Sequence, residues 1–339
     1  MPDKSSIAII GQGYMGNAHA AAWASAGQAD AIKYICTPRP KEGSVPLAKH
    51  ATYISDLDVI LKDKGVKFVS VCTPTPTHKD IAIALLSAGK HVLLEKPIAL
   101  TIADAKAIAD VASRSSGSLM VAHVVRFFLG YQKLRSASDS GELGKVLSVH
   151  ARRFSQKPSW AAWLDDASQT GGMLVDFSIH DFDQLNLYLG NPTEVFAVQT
   201  SPSGPAEIIV QYESGGIGQV QSCMNTGEGV PFTSTIDLLG TKGMAHYEFS
   251  AMSATEESSQ GNDAGVNSWH IFSSLGNAQQ RIANDDPYGR QVQYFFEQAS
   301  NGGTFDVSPT SSAIAALQVA LAARASLLEG RSISISSLR

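Results

Sequence analysis

Ile7-Ala8-Ile9-Ile10-Gly11-Gln12-Gly13-Tyr14-Met15-Gly16 decides how the rest of the chain is read. Its first four residues are apolar and rich in β-branched types, as in a strand buried on both faces of a parallel sheet. Glycine then stands at the first, third and sixth positions of G-x-G-x-x-G, and the alanine-rich run 17–26 continues as a helix. Gly11 permits the tight turn, Gly13 lets backbone amides approach a pyrophosphate, and Gly16 lets helix and strand pack closely. The amides of Tyr14, Met15 and Gly16, with the positive end of the helix dipole, favour an anion. The competing reading is a tight strand-to-helix turn that holds no ligand. The strand before the glycines and the helix after them weigh against it.

Outward from this turn, strands and helices alternate. Strands are predicted over 31–36, 52–54, 68–72, 91–94 and 119–123, and helices over 56–64, 77–88 and 101–114. Asp56 and Thr77 cap the first two helices, and Thr101 with Asp104 approximates a capping box on the third. The alternation implies right-handed βαβ units and a doubly wound parallel sheet, a Rossmann domain over residues 1–124. Ligands bind outside the carboxyl ends of such strands, where Gly11, Thr73-Pro74 and Glu95-Lys96-Pro97 all fall. Cys36-Thr37-Pro38-Arg39, at the end of the second strand, lacks the carboxylate that would accept bonds from the ribose of NAD. Arg39 close to Thr37 gives a slight lean toward tolerance of the NADP 2′-phosphate, with a solvated loop arginine as the equal alternative.

After His123 the pattern changes. A helix is predicted over 128–138, a strand over 146–154, then an aromatic loop through Trp160 and Trp163. Gly171-Gly172 opens a long helix over 173–189, stopped by Gly190-Asn191-Pro192. Strands over 195–200, 206–212, 217–224, 232–239 and 244–249 have short connections, which makes an antiparallel sheet. Residues 250–267 read as a loop, and 286–300 and 310–328 as helices. The fold class is therefore α/β: an N-terminal Rossmann domain, then an α+β domain over 125–339 with a large, mainly antiparallel open sheet. The helix at 310–328 is a candidate to pack back on the first domain.

At 339 residues the chain suits two domains, and 44% apolar with 17% charged residues is ordinary for a globular protein. A net charge of −5 without a basic run leaves no electrostatic footprint for nucleic acid or anionic membrane. No apolar run of about 18 residues is read, and Met1 leads almost directly into the first strand, so neither a membrane span nor a secretory segment is expected. Cys36, Cys72 and Cys223 lie far apart and outside C-x-x-C spacing. They read as buried thiols in a reducing cytoplasm.

Lys96 sits at a strand end where a cofactor's reactive ring could lie. Asp176, His180 and Asp183 fall at i, i+4 and i+7, one face of the expected helix. An exposed polar face, or a core histidine satisfied by a carboxylate, would explain that spacing equally. The three could in principle hold a divalent ion, but no clustered His/Cys ligand set accompanies them, and no metal is expected.

Several motifs together carry a resemblance. Gly11-x-Gly13-x-x-Gly16-x-x-His19-Ala20, Thr73-Pro74-x-x-x-His78 and Ala88-Gly89-Lys90-His91-Val92-x-x-Glu95-Lys96-Pro97 occur in order. His123-x-x-Arg126-Phe127 and Gly171-Gly172-Met173-Leu174-Val175-Asp176-Phe177-Ser178-Ile179-His180 follow. The chain resembles the Gfo/Idh/MocA oxidoreductases, which include glucose-fructose oxidoreductase and inositol 2-dehydrogenase. Two departures stand out: Thr75 replaces the family's frequent Asn after Thr-Pro, and no acidic residue stands near Thr37.

The resemblance implies NAD(P)-dependent hydride transfer with a sugar, an inositol-like polyol or a related cyclic alcohol. Lys96 would stabilise the reacting oxygen, His180 would act as general base, and Asp176 would orient it or bind a substrate hydroxyl. Thr73, Pro74, His78 and Glu95 would join the glycines, Tyr14, Met15, Thr37, Arg39 and Lys96 in the cofactor site. Arg126, Trp160, Trp163 and Tyr288 are candidates to line the substrate. The second domain would bind substrate and form the subunit interface of a homodimer or homotetramer. Other functions the family fold implies are a non-catalytic sugar sensor or a reductase of a non-sugar, dihydrodiol-like or biliverdin-like substrate.

Overall fold

The computed structural model describes residues 6–156, 166–201, 204–227, 229–251, 265–283 and 285–338. The chain divides into two compact units, Met1–Val124 with Pro287–Ile314 and Val125–Asp286 with Ala315–Arg339.

In the first unit, β1 (Ser6–Ile10), β2 (Ile32–Cys36), β3 (Thr52–Ile54), β4 (Val66–Val71), β5 (His91–Leu94) and β6 (Leu119–Val121) form one sheet. All pairings are parallel, in the order β3-β2-β1-β4-β5-β6. Ile7, Ile9, Val69, Val71 and Leu93 have no exposure, which is why these strands read as continuous apolar runs. The helices α1 (Tyr14–Ser25), α2 (Leu57–Lys62), α3 (His78–Ser87) and α4 (Ile102–Arg114) connect them. Asp56 caps α2 and Thr101 caps α4 through side-chain bonds to the amides of Asp58 and Asp104. The cap expected from Thr77 is not formed. A short turn over Thr75–Thr77 precedes α3, and the Thr77 hydroxyl donates instead to the Pro74 carbonyl at 2.8 Å. The strand order reverses between β1 and β4, the position where open α/β sheets take ligands.

In the second unit, α5 (Leu129–Asp139), β7 (Val146–Phe154), α6 (Ala167–Thr170), α7 (Met173–Asp176) and α8 (Ile179–Leu189) come first. Then follow β8 (Pro192–Gln199), β9 (Ala206–Tyr212), β10 (Ile217–Cys223), β11 (Phe232–Gly240), β12 (Gly243–Ala251), β13 (Val266–Ser273) and β14 (Gly276–Arg281). With β15 (Ile333–Ser334) they make a nine-stranded sheet ordered β14-β13-β12-β11-β7-β10-β9-β8-β15. It is mainly antiparallel, with one parallel pair, β7 beside β10. The hairpin β13–β14 is absent from the sequence expectation. Every residue of β14 is exposed, so the strand is held by main-chain pairing and shows no alternation to read.

The helix expected over 173–189 is two helices. Between them the Ser178 amide bonds back five residues to the Met173 carbonyl, and the Ser178 hydroxyl meets that of Ser222 at 2.8 Å. The wider turn interrupts the continuous helical periodicity on which the i, i+4 and i+7 spacing of Asp176, His180 and Asp183 rests.

Two further helices, α9 (Pro287–Ser300) and α10 (Thr310–Glu329), lie between β14 and β15. The expected second domain of 125–339 therefore cedes 287–314 to the first unit. The reason is aromatic: Phe295 and Phe296 of α9 sit 6.2 and 5.9 Å from Trp23 of α1, and all of Phe295 is buried. Only residues 310–314 of α10 belong to that unit. The expectation that no segment is apolar enough to span a membrane is also corrected, since α10 qualifies by length and composition. Its Ala316, Leu317, Val319, Ala320, Ala322 and Ala323 are fully buried in protein. Cys36, Cys72 and Cys223 are free thiols, with Cys72 only half-buried.

Candidate active site

The glycine turn has the local geometry its spacing suggests. Gly11 has φ +109°, a left-handed value open to glycine, and a Cβ there would lie 2.4 Å from the Cys72 carbonyl oxygen. A Cβ on Gly16 would lie 2.3 Å from the Gly11 carbonyl oxygen. Gly13 differs: a Cβ would meet nothing within 4 Å, so the missing side chain leaves an open cradle at the start of α1. Among the described residues no side chain caps α1 and no acid stands in its first turn. A backbone cradle at an uncapped helix start fits a pyrophosphate.

Sequence reasoning missed two residues of this turn, because both fill variable positions of the motif. Gln12 Nε2 donates to the Arg39 carbonyl at 2.8 Å, while Gln12 Oε1 accepts from the Lys41 amide at 3.1 Å and the Ser44 hydroxyl at 3.0 Å. Asn17 Nδ2 donates to the Ser44 carbonyl at 3.1 Å. Together they fasten the loop after β2 to the glycine turn. Thr37 opens this loop, its amide bonded to the Ile54 carbonyl, and Arg39 is exposed on it.

Thr73-Pro74 follows β4 and Glu95-Lys96 follows β5, at the same carboxyl edge as Gly11. Glu95 is 7% exposed, and its Oε1 lies 2.8 Å from His19 Nε2 of α1. Burial opposes a charge on His19, but the neighbouring Cys72 thiol and the Glu95 carboxylate overcome it and push the pKa up to about 10. Burial likewise opposes the Glu95 charge, yet His19 holds its pKa below the usual carboxylate value. A buried ion pair thus anchors the residue before Lys96, whose own amide donates to Glu95 Oε2 at 3.1 Å. Lys96 itself is half-buried. His78, expected at the cofactor, turns both ring nitrogens to main-chain carbonyls.

In the second unit Asp176, at the end of α7, and His180, in the first turn of α8, are both half-buried. The next residues of α8 go inward. Asp181 is fully buried and accepts Arg153 Nε at 2.9 Å and Nη2 at 3.0 Å. Burial outweighs the pull of Arg153 and raises the Asp181 pKa. Asp183, also fully buried, accepts Arg126 Nε at 2.6 Å and Nη2 at 2.7 Å. Two forked ion pairs on either side of His180 fix the rotation of α8 about its axis. Asp183 is therefore a structural partner. Arg126, a candidate to line the substrate, is 6% exposed and bound to it. Tyr288 is half-buried on α9 of the first unit. Trp160 and Trp163 lie outside the described residues. No group of three or more potential metal ligands occurs among the described residues.

Comparison with known proteins gives the family. Residues 5–123 match a family described as an oxidoreductase family with an NAD-binding Rossmann fold, and residues 131–246 match the GFO/IDH/MocA C-terminal domain. The chain is 26% identical to myo-inositol 2-dehydrogenase of Thermotoga maritima, over 97% of this chain and 98% of that one. It is 27% identical to inositol 2-dehydrogenase of Rhizobium meliloti, over 96% and 98%. The fold matches that of levoglucosan dehydrogenase with a TM-score of 0.82 at 21% identity, over 97% and 98% of the two chains. With a nucleotide-binding domain and a C-terminal domain of one family matched in order, this chain belongs to the Gfo/Idh/MocA oxidoreductases.

Proposed function

We propose that this oxidoreductase is an NAD(P)-dependent dehydrogenase of a sugar, an inositol-like polyol or a related cyclic alcohol. The observation that carries this function is Lys96, anchored at the carboxyl edge of a sheet whose glycine cradle fits a dinucleotide. The inositol dehydrogenases among its full-length relatives supply the substrate class. A bound nicotinamide exchanges hydride with the substrate carbon, so no protein nucleophile is required.

The chain's own residues have the remaining work. Gly11, Gly13 and Gly16, with the amides of Tyr14 and Met15, hold the pyrophosphate. Thr37 and Arg39 take the adenosine ribose, with Arg39 able to accept a 2′-phosphate, and Thr73, Pro74 and Glu95 stand at the nicotinamide. The Lys96 ammonium binds the substrate oxygen and stabilises the negative charge that grows there as the alcohol is oxidised. His180 takes the alcohol proton, a task suited to a group that titrates near neutrality. Asp176 orients His180 or holds a substrate hydroxyl.

A homodimer or homotetramer belongs to the same proposal. Phe196, Val198, Ile209, Ile217, Leu239, Met244 and Phe272 are 38–50% exposed and share one face of the large sheet by register. A second copy of the chain would cover such a face. A cytoplasmic location fits the free thiols.

The test is paired: titrate NADH and NADPH by fluorescence with wild type and Arg39→Ala, then screen polyols and sugars with the oxidised form of the tighter cofactor. Turnover of a cyclic polyol supports the dehydrogenase, and loss of an NADPH preference in Arg39→Ala supports the 2′-phosphate role. Tight binding without turnover of any alcohol would shift the function to a sugar sensor. Failure to bind either cofactor overturns the proposal at its first step.

A further inference from the structure

His78, the first residue of α3, is 1% exposed. Its Nδ1 lies 2.8 Å from the Pro97 carbonyl oxygen and its Nε2 lies 2.9 Å from the Thr73 carbonyl oxygen. A carbonyl oxygen can only accept, and a neutral imidazole carries one N–H and one lone pair. A neutral ring therefore satisfies one of these oxygens and points a lone pair at the other. Only the imidazolium ion makes both bonds.

The two carbonyls belong to different strand ends. Thr73 follows β4, and Pro97 comes directly after Lys96 beyond β5. We propose that His78 is a protonation-gated clamp: charged, it ties Thr73-Pro74 to Lys96-Pro97 and so sets the position of Lys96, and neutral, it lets one of the two segments go. This rests on the cofactor lying over the carboxyl ends of β4 and β5. His78 is a positioning residue, because both nitrogens are turned to main chain.

The surroundings set where the gate works. Burial opposes the charged ring most strongly and Lys96 adds to this, while the two carbonyls and the Glu95 carboxylate favour it, and the outcome is a pKa below the ordinary histidine value. Glu95 is itself held by His19 at 2.8 Å. Lys79, next to His78 on α3, is paired with Asp104 of α4 at 2.6 Å. The clamp is thus favoured by acid and released as pH rises, with its midpoint on the acid side of the ordinary histidine value.

The experiment has two arms. In the first, imidazole N–H protons of ¹⁵N-histidine-labelled protein, without cofactor, are followed by NMR from about pH 5 to about pH 8, the range in which histidines titrate. His78 should show two ring protons at the acid end and one at the other. The same number of ring protons at both ends would overturn the gate. In the second, NADH affinity is measured over the same range for wild type and His78→Gln, which has no second ring nitrogen to bridge the segments. Wild type should bind about three- to tenfold more tightly at the acid end, the scale of preorganising a loop, and His78→Gln should be flat. Parallel profiles for the two proteins overturn the clamp. If wild type binds no NADH at any pH, the cofactor placement fails, and the NMR arm still decides the protonation. If His78→Gln does not fold, His78→Asn with the NMR arm takes its place.

Discussion

Replacing Asp183 by Asn tests how α8 is held. Arg126 and Asp183 have side-chain exposures of 3% and 1% and meet through contacts of 2.6 and 2.7 Å. Burial opposes the Arg126 charge, but Asp183 beside it holds the guanidinium pKa above even the ordinary arginine value. Asparagine preserves the size of the side chain and leaves that cation buried without its counter-charge. Removing one partner of a buried pair costs about 3–5 kcal/mol. For a unit of this size roughly 2–4 °C is lost per kcal/mol, so Asp183→Asn should melt about 6–20 °C below wild type. Removing both charges, as Arg126→Met with Asp183→Leu, should recover most of the loss, because apolar side chains of similar volume carry no desolvation cost. Urea melts of wild type, Arg126→Met alone, Asp183→Leu alone and the double variant close the cycle, with an expected coupling of about 2 kcal/mol or more. A single-variant cost under about 1 kcal/mol, or a double variant as unstable as the two singles added, would refute the ion-pair account.

Lys96→Ala and His180→Ala should each lower kcat by roughly 10²-fold or more, the scale of lost acid–base or charge stabilisation, and NADH affinity should be nearly unchanged in His180→Ala. Steady-state kinetics beside fluorescence titration checks this, and near-normal turnover in both variants would sink the assignment. Gly13→Ala should fold normally, because its Cβ meets nothing within 4 Å, yet weaken NADH binding by about tenfold or more as the methyl fills the cradle. Gly16→Ala should instead lose stability, with its Cβ 2.3 Å from a backbone oxygen, and a comparison of melts with binding curves separates the two. His19 gives a pH prediction. Its folded pKa of about 10 lies above the unfolded value of 6.5, so its contribution is complete below about pH 6.5 and is lost as pH rises toward 10. Denaturant melts of Glu95→Gln should show a shallower loss over that window, and identical slopes in the two proteins would count against the pair.

Much of the first unit is legible from the sequence because its signals are local. An apolar run, three glycines and a helix within twenty residues determine the phosphate turn, and β-rich runs spaced by helical ones determine a parallel sheet. Glu95-Lys96-Pro97 and Asp176 to His180 are contiguous segments that carry a family resemblance without any tertiary knowledge. The misses arise where local pattern is weak or misleading. β14 has no buried side, so its sequence lacks the alternation that marks a strand. The helical periodicity of 173–189 runs straight through Phe177-Ser178, where hydroxyl pairing with Ser222 accompanies the break.

By itself, then, the sequence determined the dinucleotide turn and the doubly wound, parallel character of the first unit, and it supplied the proposed chemistry-bearing residues, since each depends on neighbours along the chain. Only the tertiary structure decided who those residues meet. His19 and Glu95 are 76 positions apart, Arg126 and Asp183 are 57 apart, and neither pairing leaves a trace in spacing. The placement of 287–314 with the first unit, through Phe295 and Phe296 on Trp23, is of the same kind. Long-range burial selects such partners, because a charge or a ring removed from water takes whatever complement the fold brings to it.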